Sequence, residues 1–390
     1  MASTVMPRAN ESVRPVLVYL VTEDWYFLSH RLPMACAALR AGYEVHVATN
    51  VVDGGAAIEG YGFKLHPLNW RRGSAHPRDL IRIIGEIRAL YKRLKPDLVH
   101  HVGVQPAIIG AIAGIGLPVV KLHAMAGLGF AFTSKTLRAK VTGFAMRLLM
   151  RALLNRPRNA VLVQNPDDRA AVAALGISPV RIFLIPGSGV DTDALVPMPE
   201  PAGVMTVGYV GRLLADKGVR SLVEAHALLA ARGRDIRFVL AGEPDPANPA
   251  SIPQSEIDSW KQIAGLDVRG HIDDIREVWA ISHIAVLPSR REGLPKSLLE
   301  AAACGRPIVA TDVPGCREIA RANVNALLVP ADDAAALAEV IDRLAANREM
   351  RLRFGAAGRA MVEAEFSETR IGEAIVALYA KLLDRAAKPV

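Results

Sequence analysis

Strand-like runs and helix-like segments alternate along this chain in two series, with one proline-rich break between them. That rhythm is the strongest constraint on its fold, because strands separated by helices pair in parallel and need cover on both faces. In the first series Val16–Val21, Val45–Ala48, Leu98–His101, Val119–Leu122, Val161–Gln164 and Ile182–Ile185 read as strands, and His30–Arg40 has helical periodicity closed by Gly42. The segment from Asp191, DTDALVPMPEPAG, is rich in proline and lacks periodicity, which predicts a linker near residues 192–203. The second series has strands at Thr206–Val210, Arg237–Ala241, Ile284–Leu287 and Ile308–Ala310, with helices at Val219–Arg232 and Ser297–Cys304. The prediction is an α/β protein of two Rossmann-like domains, residues 1–195 and 203–369, with a helix over 370–390 packing back on the first. In such folds ligands bind outside the carboxyl ends of the strands, so a cleft between the domains is the expected place for chemistry.

Length and composition agree with two lobes: 390 residues, 51% hydrophobic and 22% charged, make a core-rich chain. Cys36, Cys304 and Cys316 have neither disulfide-framework nor zinc-site spacing, which fits a reducing compartment. The opening MASTVMPRANESVRPV lacks the apolar core of a signal peptide, so export is not expected. Val104–Val120 is the most apolar stretch, but Pro106, Gly110, Gly114, Gly116 and Pro118 interrupt it, so it reads as a buried helix running into a strand.

The net charge of +8 is unevenly placed. Basic residues gather at Arg71, Arg72, Arg78, Arg82, Arg88, Lys92, Arg93 and Lys95, and again at Lys135, Arg138, Lys140, Arg147, Arg151, Arg156 and Arg158. The second group alternates with Leu137, Val141, Phe144, Leu148, Leu149 and Leu153 and contains no acid. Two readings stay open: an amphipathic helix that lies on anionic lipid, or a core helix with a solvated basic face.

Missing signatures narrow the chemistry. GLGFAF at Gly127 and GSGVDT at Gly187 lack the third glycine of a dinucleotide fingerprint, and there is no G-x-x-x-x-G-K-[ST] and no G-x-S-x-G. Oxidoreductases, P-loop ATPases and α/β-hydrolases are thereby disfavoured. Asp167-Asp168, Asp273-Asp274 and Asp332-Asp333 read as helix-start or loop acids, so no metal site is expected.

The segment PSRREGLPKSLLEAAACGRPIVATDVPGCREI, from Pro288 to Ile319, is the most informative. It follows a strand, places Glu292 in the connecting loop, and starts a helix in which Glu300 stands eight positions later. A helix N-terminus offers free N–H groups and partial positive charge, and two carboxylates beside it can accept hydrogen bonds from vicinal sugar hydroxyls. Upstream, VGYVGRLLADKGV sets Arg212 and Lys217 between a strand and a helix. Two cations on such a turn suit a diphosphate and stabilise the charge that grows on it as it leaves.

On these residues the C-terminal half resembles the nucleotide-sugar-binding lobe of retaining glycosyltransferases of the GT-B fold, in the large family 4. The hallmark E-x7-E is matched by Glu292 and Glu300, and the G-R-L-x-x-x-K-G turn by Gly211, Arg212, Leu213, Lys217 and Gly218. EPDPANPASIPQSEIDSW at Glu243–Trp260, FLSHRLPMA at Phe27–Ala35 and GLGFAFTS at Gly127–Ser134 resemble a bacterial branch that builds capsule, O-antigen and exopolysaccharide repeat units on a lipid carrier.

The resemblance implies roles residue by residue. Arg212 and Lys217, beside Gly211, would bind the donor diphosphate; Glu292, with the backbone of Gly293 and Leu294, would hold the sugar hydroxyls; Glu300 would grip the ribose diol. Gly270, His271 and Ile272 would line the nucleobase pocket. His123 resembles a histidine that some members point at the donor sugar, and Trp25 and His30 fall on the acceptor side. The implied reaction is front-face transfer with retention, in which the leaving diphosphate takes the acceptor proton and no metal or cofactor is needed. The implied partners are a nucleotide sugar, UDP-linked in most of this branch, a polyprenyl-diphosphate-linked saccharide and the anionic inner face of the cytoplasmic membrane, with no nucleic acid. The first-half loop Thr22–Phe27 departs from the glycine-rich loop common in the family. A UDP-sugar 2-epimerase shares the fold but does not need E-x7-E, and a catalytically silent partner of another transferase does not need four intact charged positions.

Overall fold

The structure is a computed structural model that describes residues 14–70, 76–125 and 147–387. Its strands are β1 Val16–Glu23, β2 Glu44–Asn50, β3 Lys64–Pro67, β4 Leu98–Val102, β5 Val120–Ala124, β6 Asn159–Val163, β7 Ile182–Leu184, β8 Met205–Val210, β9 Ile236–Ala241, β10 Leu266–Gly270, β11 Ile284–Leu287, β12 Ile308–Thr311 and β13 Ala326–Val329. They form a seven-stranded sheet, β3-β2-β1-β4-β5-β6-β7, and a six-stranded sheet, β10-β9-β8-β11-β12-β13. The described strand pairings are parallel, and the chain changes sheet between β7 and β8. By compactness it divides into Met1–Ala124 with Arg156–Ala160 and Val376–Val390, and Met125–Asn155 with Val161–Ile375.

Helices α1 Asp24–His30, α2 Leu32–Arg40, α3 Gly55–Gly60, α4 Pro77–Leu94, α5 Val104–Ala113, α6 over 147–154 and α7 Pro166–Ala174 connect the strands of the first sheet. The second sheet carries α8 Val219–Ala231, α9 Gln254–Trp260, α10 Arg276–Ile281, α11 Lys296–Ala303, α12 Cys316–Ile319, α13 Ala334–Ala346 and α14 Arg348–Met361, and α15 Glu368–Ala387 ends the described chain. Every residue of β4, β5, β6, β11 and β12 is buried, as strands covered on both faces must be. Tyr379 of α15 hydrogen-bonds the Tyr19 hydroxyl and His100 Nδ1 at 2.7 Å each, which seats the end of the chain on β1 and β4.

Two local outcomes differ from the sequence reading. Thr22–Phe27 is not a loop: β1 continues to Glu23 and α1 begins at Asp24. The expected helix over His30–Arg40 breaks at Arg31, because Pro33 has no N–H to continue the ladder and sits instead in the first turn of α2, where none is required. Asp24 explains the start of α1: its buried carboxylate accepts N–H groups of Trp25, Val52, Asp53 and Gly54, tying α1 to the loop after β2.

The proline-rich stretch joins β7 of one sheet to β8 of the other, as a linker does, and side chains hold it in place. Arg359 donates to the carbonyls of Thr192 and Leu195, Arg306 to that of Pro199, and Arg351 to the Glu200 carboxylate at 2.6 Å.

Of the basic groups, α4 explains part of the first. Its buried stripe is Ile83, Ile87, Leu90 and Tyr91, and its cations lie elsewhere, with Arg88 donating to the carbonyls of Ala113 and Ile115. In the second group Lys135, Arg138, Lys140 and Phe144 lie outside the described residues, as do Arg71 and Arg72. In α6, Arg147, Leu148, Leu149 and Arg151 are exposed while Met150, Leu153 and Leu154 are buried. No described helix is long and apolar enough to cross a membrane.

Candidate active site

In the six-stranded sheet β8 and β11 are neighbours, and the connections after them leave toward opposite edges. That reversal opens a crevice at the carboxyl ends, the ligand position of doubly wound sheets. The two loops that flank it are Gly211–Gly218 and Pro288–Pro295, which carry the charged residues singled out by motif. Glycine is required where these loops close on each other. A Cβ on Gly218, at φ +69°, would lie 1.9 Å from the Pro288 carbonyl oxygen. One on Gly315, at φ +81°, would lie 2.5 Å from the carbonyl oxygen of Glu292. The loops after β8, β11 and β12 therefore touch backbone to backbone, which fixes where their side chains emerge.

Glu292 and Lys217 meet: Lys217 Nζ is 2.6 Å from Glu292 Oε1, and Ser289 Oγ donates to the same oxygen at 2.6 Å. The Ser289 carbonyl in turn accepts the Thr311 hydroxyl of β12. The Glu292 side chain is only 9% exposed and that of Lys217 24%, so each largely neutralises the other away from water, and removing one strands its partner. Arg212 turns to Asp245 instead, at 2.6 Å, while its carbonyl accepts the buried Tyr209 hydroxyl. Both cations expected at a diphosphate thus hold a carboxylate in this structure, and an incoming phosphate would compete for them.

Glu300 stands apart from that pair, in the second turn of α11. It is buried, and burial pushes its carboxyl up to about 7, although Lys296, one turn earlier with its ammonium at 3.6 Å, pulls the other way. Gly270 closes β10 at φ +72° and accepts the Gly242 N–H at 2.6 Å. His271 is exposed beside Asp273, and Ile272 packs against the core of this unit. No hydrogen bond or ion pair among the described residues links His271 or Ile272 to Arg212, Lys217 or Glu292.

The other candidates lie on the first sheet. His123 on β5 pairs in register with His101 on β4, and their Nδ1 atoms are 3.0 Å apart. Tyr91 of α4 reaches His101 Nε2 at 2.9 Å. Burial drives His123 down to about 3 and His101 well below its ordinary range, so both rings are neutral. His123 is fully buried and its Nε2 has no partner among the described residues, so it is neither an open site group nor a fully satisfied strand-end histidine. His30 ends α1 rather than starting a helix, and its ring stacks on Tyr26 at 4.3 Å between centroids. Trp25 is 42% exposed and its indole N–H donates to Glu23 at 2.8 Å.

Asp245, Ser289 and Thr311 are the contributors that motif reasoning passed over. Asp245 carries a signal, an acid held between two prolines just past β9. Ser289 bonds Glu292 within one loop, but a lone loop serine carries no signal, and Thr311 carries none because its partner lies 22 positions back in another loop. Cys304 and Cys316 are buried free thiols, and the described residues contain no group of three metal-ligating side chains.

A parallel six-stranded sheet with paired cations and carboxylates at its crossover, in a chain with a second parallel sheet, has the two-sheet architecture of the GT-B fold. Comparison with known proteins gives the family. A profile described as "Glycosyl transferases group 1" matches residues 205–347 and one described as "Glycosyl transferase 4-like" matches 17–165. The chain belongs to the GT4 glycosyltransferases, a retaining family of GT-B fold.

It is 25% identical over 388 residues to the putative glycosyltransferase EpsD of Bacillus subtilis, covering 95% of this chain and 98% of that one. It is 23% identical to the capsular polysaccharide biosynthesis glycosyltransferase CapM of Staphylococcus aureus, over 86% and 89% of the two chains. A third relative is the N,N'-diacetylbacillosaminyl-diphospho-undecaprenol alpha-1,3-N-acetylgalactosaminyltransferase of Campylobacter jejuni, 25% identical over 93% and 99%. Among solved structures, sucrose-phosphate synthase from Thermosynechococcus elongatus superposes with a TM-score of 0.78 over 95% of this chain and 100% of that one, at 22% identity. HepE of Anabaena, in complex with UDP and glucose, gives 0.75 at 16% identity over 93% and 99%.

Proposed function

We propose that this glycosyltransferase moves a hexose or N-acetylhexosamine from a UDP-linked donor to a saccharide carried on a polyprenyl diphosphate, in synthesis of a bacterial surface polysaccharide. The observation that carries the donor half is the meeting of Lys217 and Glu292 at the crossover of β8 and β11, with Arg212 on the same loop as Lys217. In this reading the diphosphate draws Arg212 and Lys217 from their carboxylates, and Glu292, released, accepts hydroxyls of the sugar. Glu300 takes the ribose diol, and Gly270–Ile272 borders the base. The cations stabilise the diphosphate as the anomeric C–O bond breaks; the acceptor oxygen attacks the same face, and its proton passes to the departing phosphate oxygen. Two cations already in place make a metal unnecessary.

The acceptor half rests on kinship: the Campylobacter relative's name specifies a diphospho-undecaprenol acceptor, and the relatives from Bacillus and Staphylococcus are described as a putative glycosyltransferase and a capsule enzyme. A lipid-carried acceptor stays in a bilayer, so in this reading the protein works peripherally on the cytoplasmic face of the membrane.

A thermal-shift screen of UDP, GDP and their sugar conjugates tests the donor. A ligand at 100 times its Kd stabilises by about 2.7 kcal/mol, a visible shift. Stabilisation by GDP conjugates and not by UDP ones would overturn the base assignment. Steady conversion of a lone UDP-sugar into its 2-epimer would overturn transfer.

A further inference from the structure

Asn165 is fully buried at the head of α7 and reaches a loop of the candidate site that is 128 residues away in sequence. Its Oδ1 accepts the Asp168 N–H at 2.7 Å, which fixes the orientation of the amide. Both hydrogens on Nδ2 are then spoken for: one goes to Asp168 Oδ2 at 3.0 Å, the other to the Gly293 carbonyl at 2.8 Å. Capping a helix is work that serine, threonine or aspartate does equally well. Capping and donating outward at once needs an amide.

The Gly293 carbonyl is hemmed in from a second side, since a Cβ on Gly315 would come within 2.6 Å of it. The described residues have no cis peptide, and in a trans peptide the C=O and N–H point in opposite directions. Holding the Gly293 carbonyl toward α7 therefore turns the Leu294 N–H away from α7. Among the described residues that N–H has no protein acceptor. Asp168 reinforces the arrangement, with its carboxylate 3.6 Å from Arg291, the residue before Glu292.

We infer that Asn165 is a positioning residue for transfer: its grip on the Gly293 carbonyl aims the Leu294 N–H at a hydroxyl of the donor sugar. This rests on the reading of Glu292–Leu294 as the cradle of that sugar. Asn165 touches no nucleotide in this scheme, so its loss should leave UDP binding alone and weaken only what depends on the sugar.

Two variants separate this role from the cap. Asn165→Ser keeps a cap oxygen and loses the outward donor, whereas Asn165→Ala loses both. The measurements are the melting temperature, the affinity for UDP by calorimetry, and the release of UDP from UDP-glucose, UDP-galactose and their N-acetylamino counterparts, whichever the wild type consumes. Both variants should slow UDP release about tenfold, the size of one lost hydrogen bond to substrate, with UDP affinity unchanged. Both should melt lower, since both lose the buried Nδ2 bonds, and the alanine variant, which loses the cap as well, should melt lowest. If serine restores the rate together with the melting temperature, Asn165 is a cap and the inference falls. It falls equally if both variants weaken UDP as much as they slow its release. If wild type consumes none of the four sugars, the UDP-donor reading itself has failed, a result that Asn165 cannot produce.

Discussion

The carboxyl ends of the two sheets treat their polar groups in opposite ways. On the six-stranded sheet Arg212, Lys217, Glu292 and Asp245 keep their charge, pair across loops and remain partly open to water. On the seven-stranded sheet His100, His101 and His123 are fully buried and neutral, His100 bonded to Tyr379 and His101 to both Tyr91 and His123. Ion pairs at an open edge can be exchanged for a ligand's charges with little loss. A buried neutral chain cannot take a charge without a large desolvation penalty, so it serves as scaffold or as a fixed dipole. The contrast assigns the charge-handling step to the second sheet, and mutations can break it.

The largest expected effect is at Glu292. Glu292→Gln keeps the shape but removes the charge that Lys217 and the sugar share, so transfer should fall by about a hundredfold or more while UDP affinity stays within a few-fold. Near-normal turnover would show that the pair at the crossover is only structural. Lys217 loses its counter-charge in this variant, so tighter UDP binding than wild type is consistent with the reading, and binding weaker by more than a few-fold is not.

Arg212→Ala should come next, with a rate loss of about a hundredfold, because one preorganised donor to the leaving diphosphate is gone. Activity should be unchanged by EDTA. If chelation abolishes transfer and Mg²⁺ or Mn²⁺ restores it, the cations of this loop do not carry the charge alone.

What was legible beforehand follows the same divide. Lys217, Glu292 and Glu300 sit in motifs whose spacing follows from one strand–loop–helix turn each, so local sequence locates them. Asn165, Ser289 and Thr311 act through partners 128, 3 and 22 positions away, and only the last two share a neighbourhood in sequence. The central strands were read to within a few residues because they are rich in β-branched and other apolar residues, even where His100, His101, Lys121 and His123 interrupt the run. Three strands that were missed, β3, β10 and β13, are all sheet edges; KLHP of β3 and LDVRG of β10 are partly exposed and carry polar residues, whereas ALLV of β13 is apolar and largely buried and was passed over for its brevity. The histidine chain was invisible as a chain: His100, His101 and His123 announce themselves singly, but Tyr91 and Tyr379 come from helices far along the sequence.

Glu300 gives a smaller effect with a pH signature. Glu300→Gln should weaken UDP by about 1.5 to 3 kcal/mol, the worth of a hydrogen bond to a charged group. From pH 6 to 8 UDP affinity should rise more in the wild type, whose carboxyl, pushed up to about 7, ionises, than in the variant, where only the terminal phosphate of UDP titrates. The unliganded protein should behave in reverse. The folded state holds this proton above the ordinary carboxylate range, so stability is highest below pH 4.5 for this group, falls as pH rises to 7, and levels off. Replacing the group removes a burial cost of up to about 3 kcal/mol above pH 7, so Glu300→Gln should melt higher than wild type at pH 8 and gain little at pH 5. A variant that melts lower at both pH values would mean that the carboxylate is structurally paired rather than waiting for a ligand.

The smallest effect on chemistry is expected at His123, and it tests the sealed sheet directly. His123→Gln keeps a hydrogen-bonding group in the chain from Tyr91 and His101 and should change UDP release from a donor sugar by less than about tenfold, since the wild-type ring is buried and uncharged. Its signature should lie in acid stability. Burial lowers this imidazole from 6.5 to about 3, so below pH 6.5 the unfolded chain takes up a proton that the folded chain refuses, and stability drains away as pH falls toward 3. Glutamine does not titrate, so the variant's urea midpoint should decline less than wild type's between pH 7 and pH 4, with His100 and His101 still supplying part of the slope. A loss of UDP release near that of Glu292→Gln, with acid stability unchanged, would place His123 in contact with substrate and erase the distinction between the two sheets.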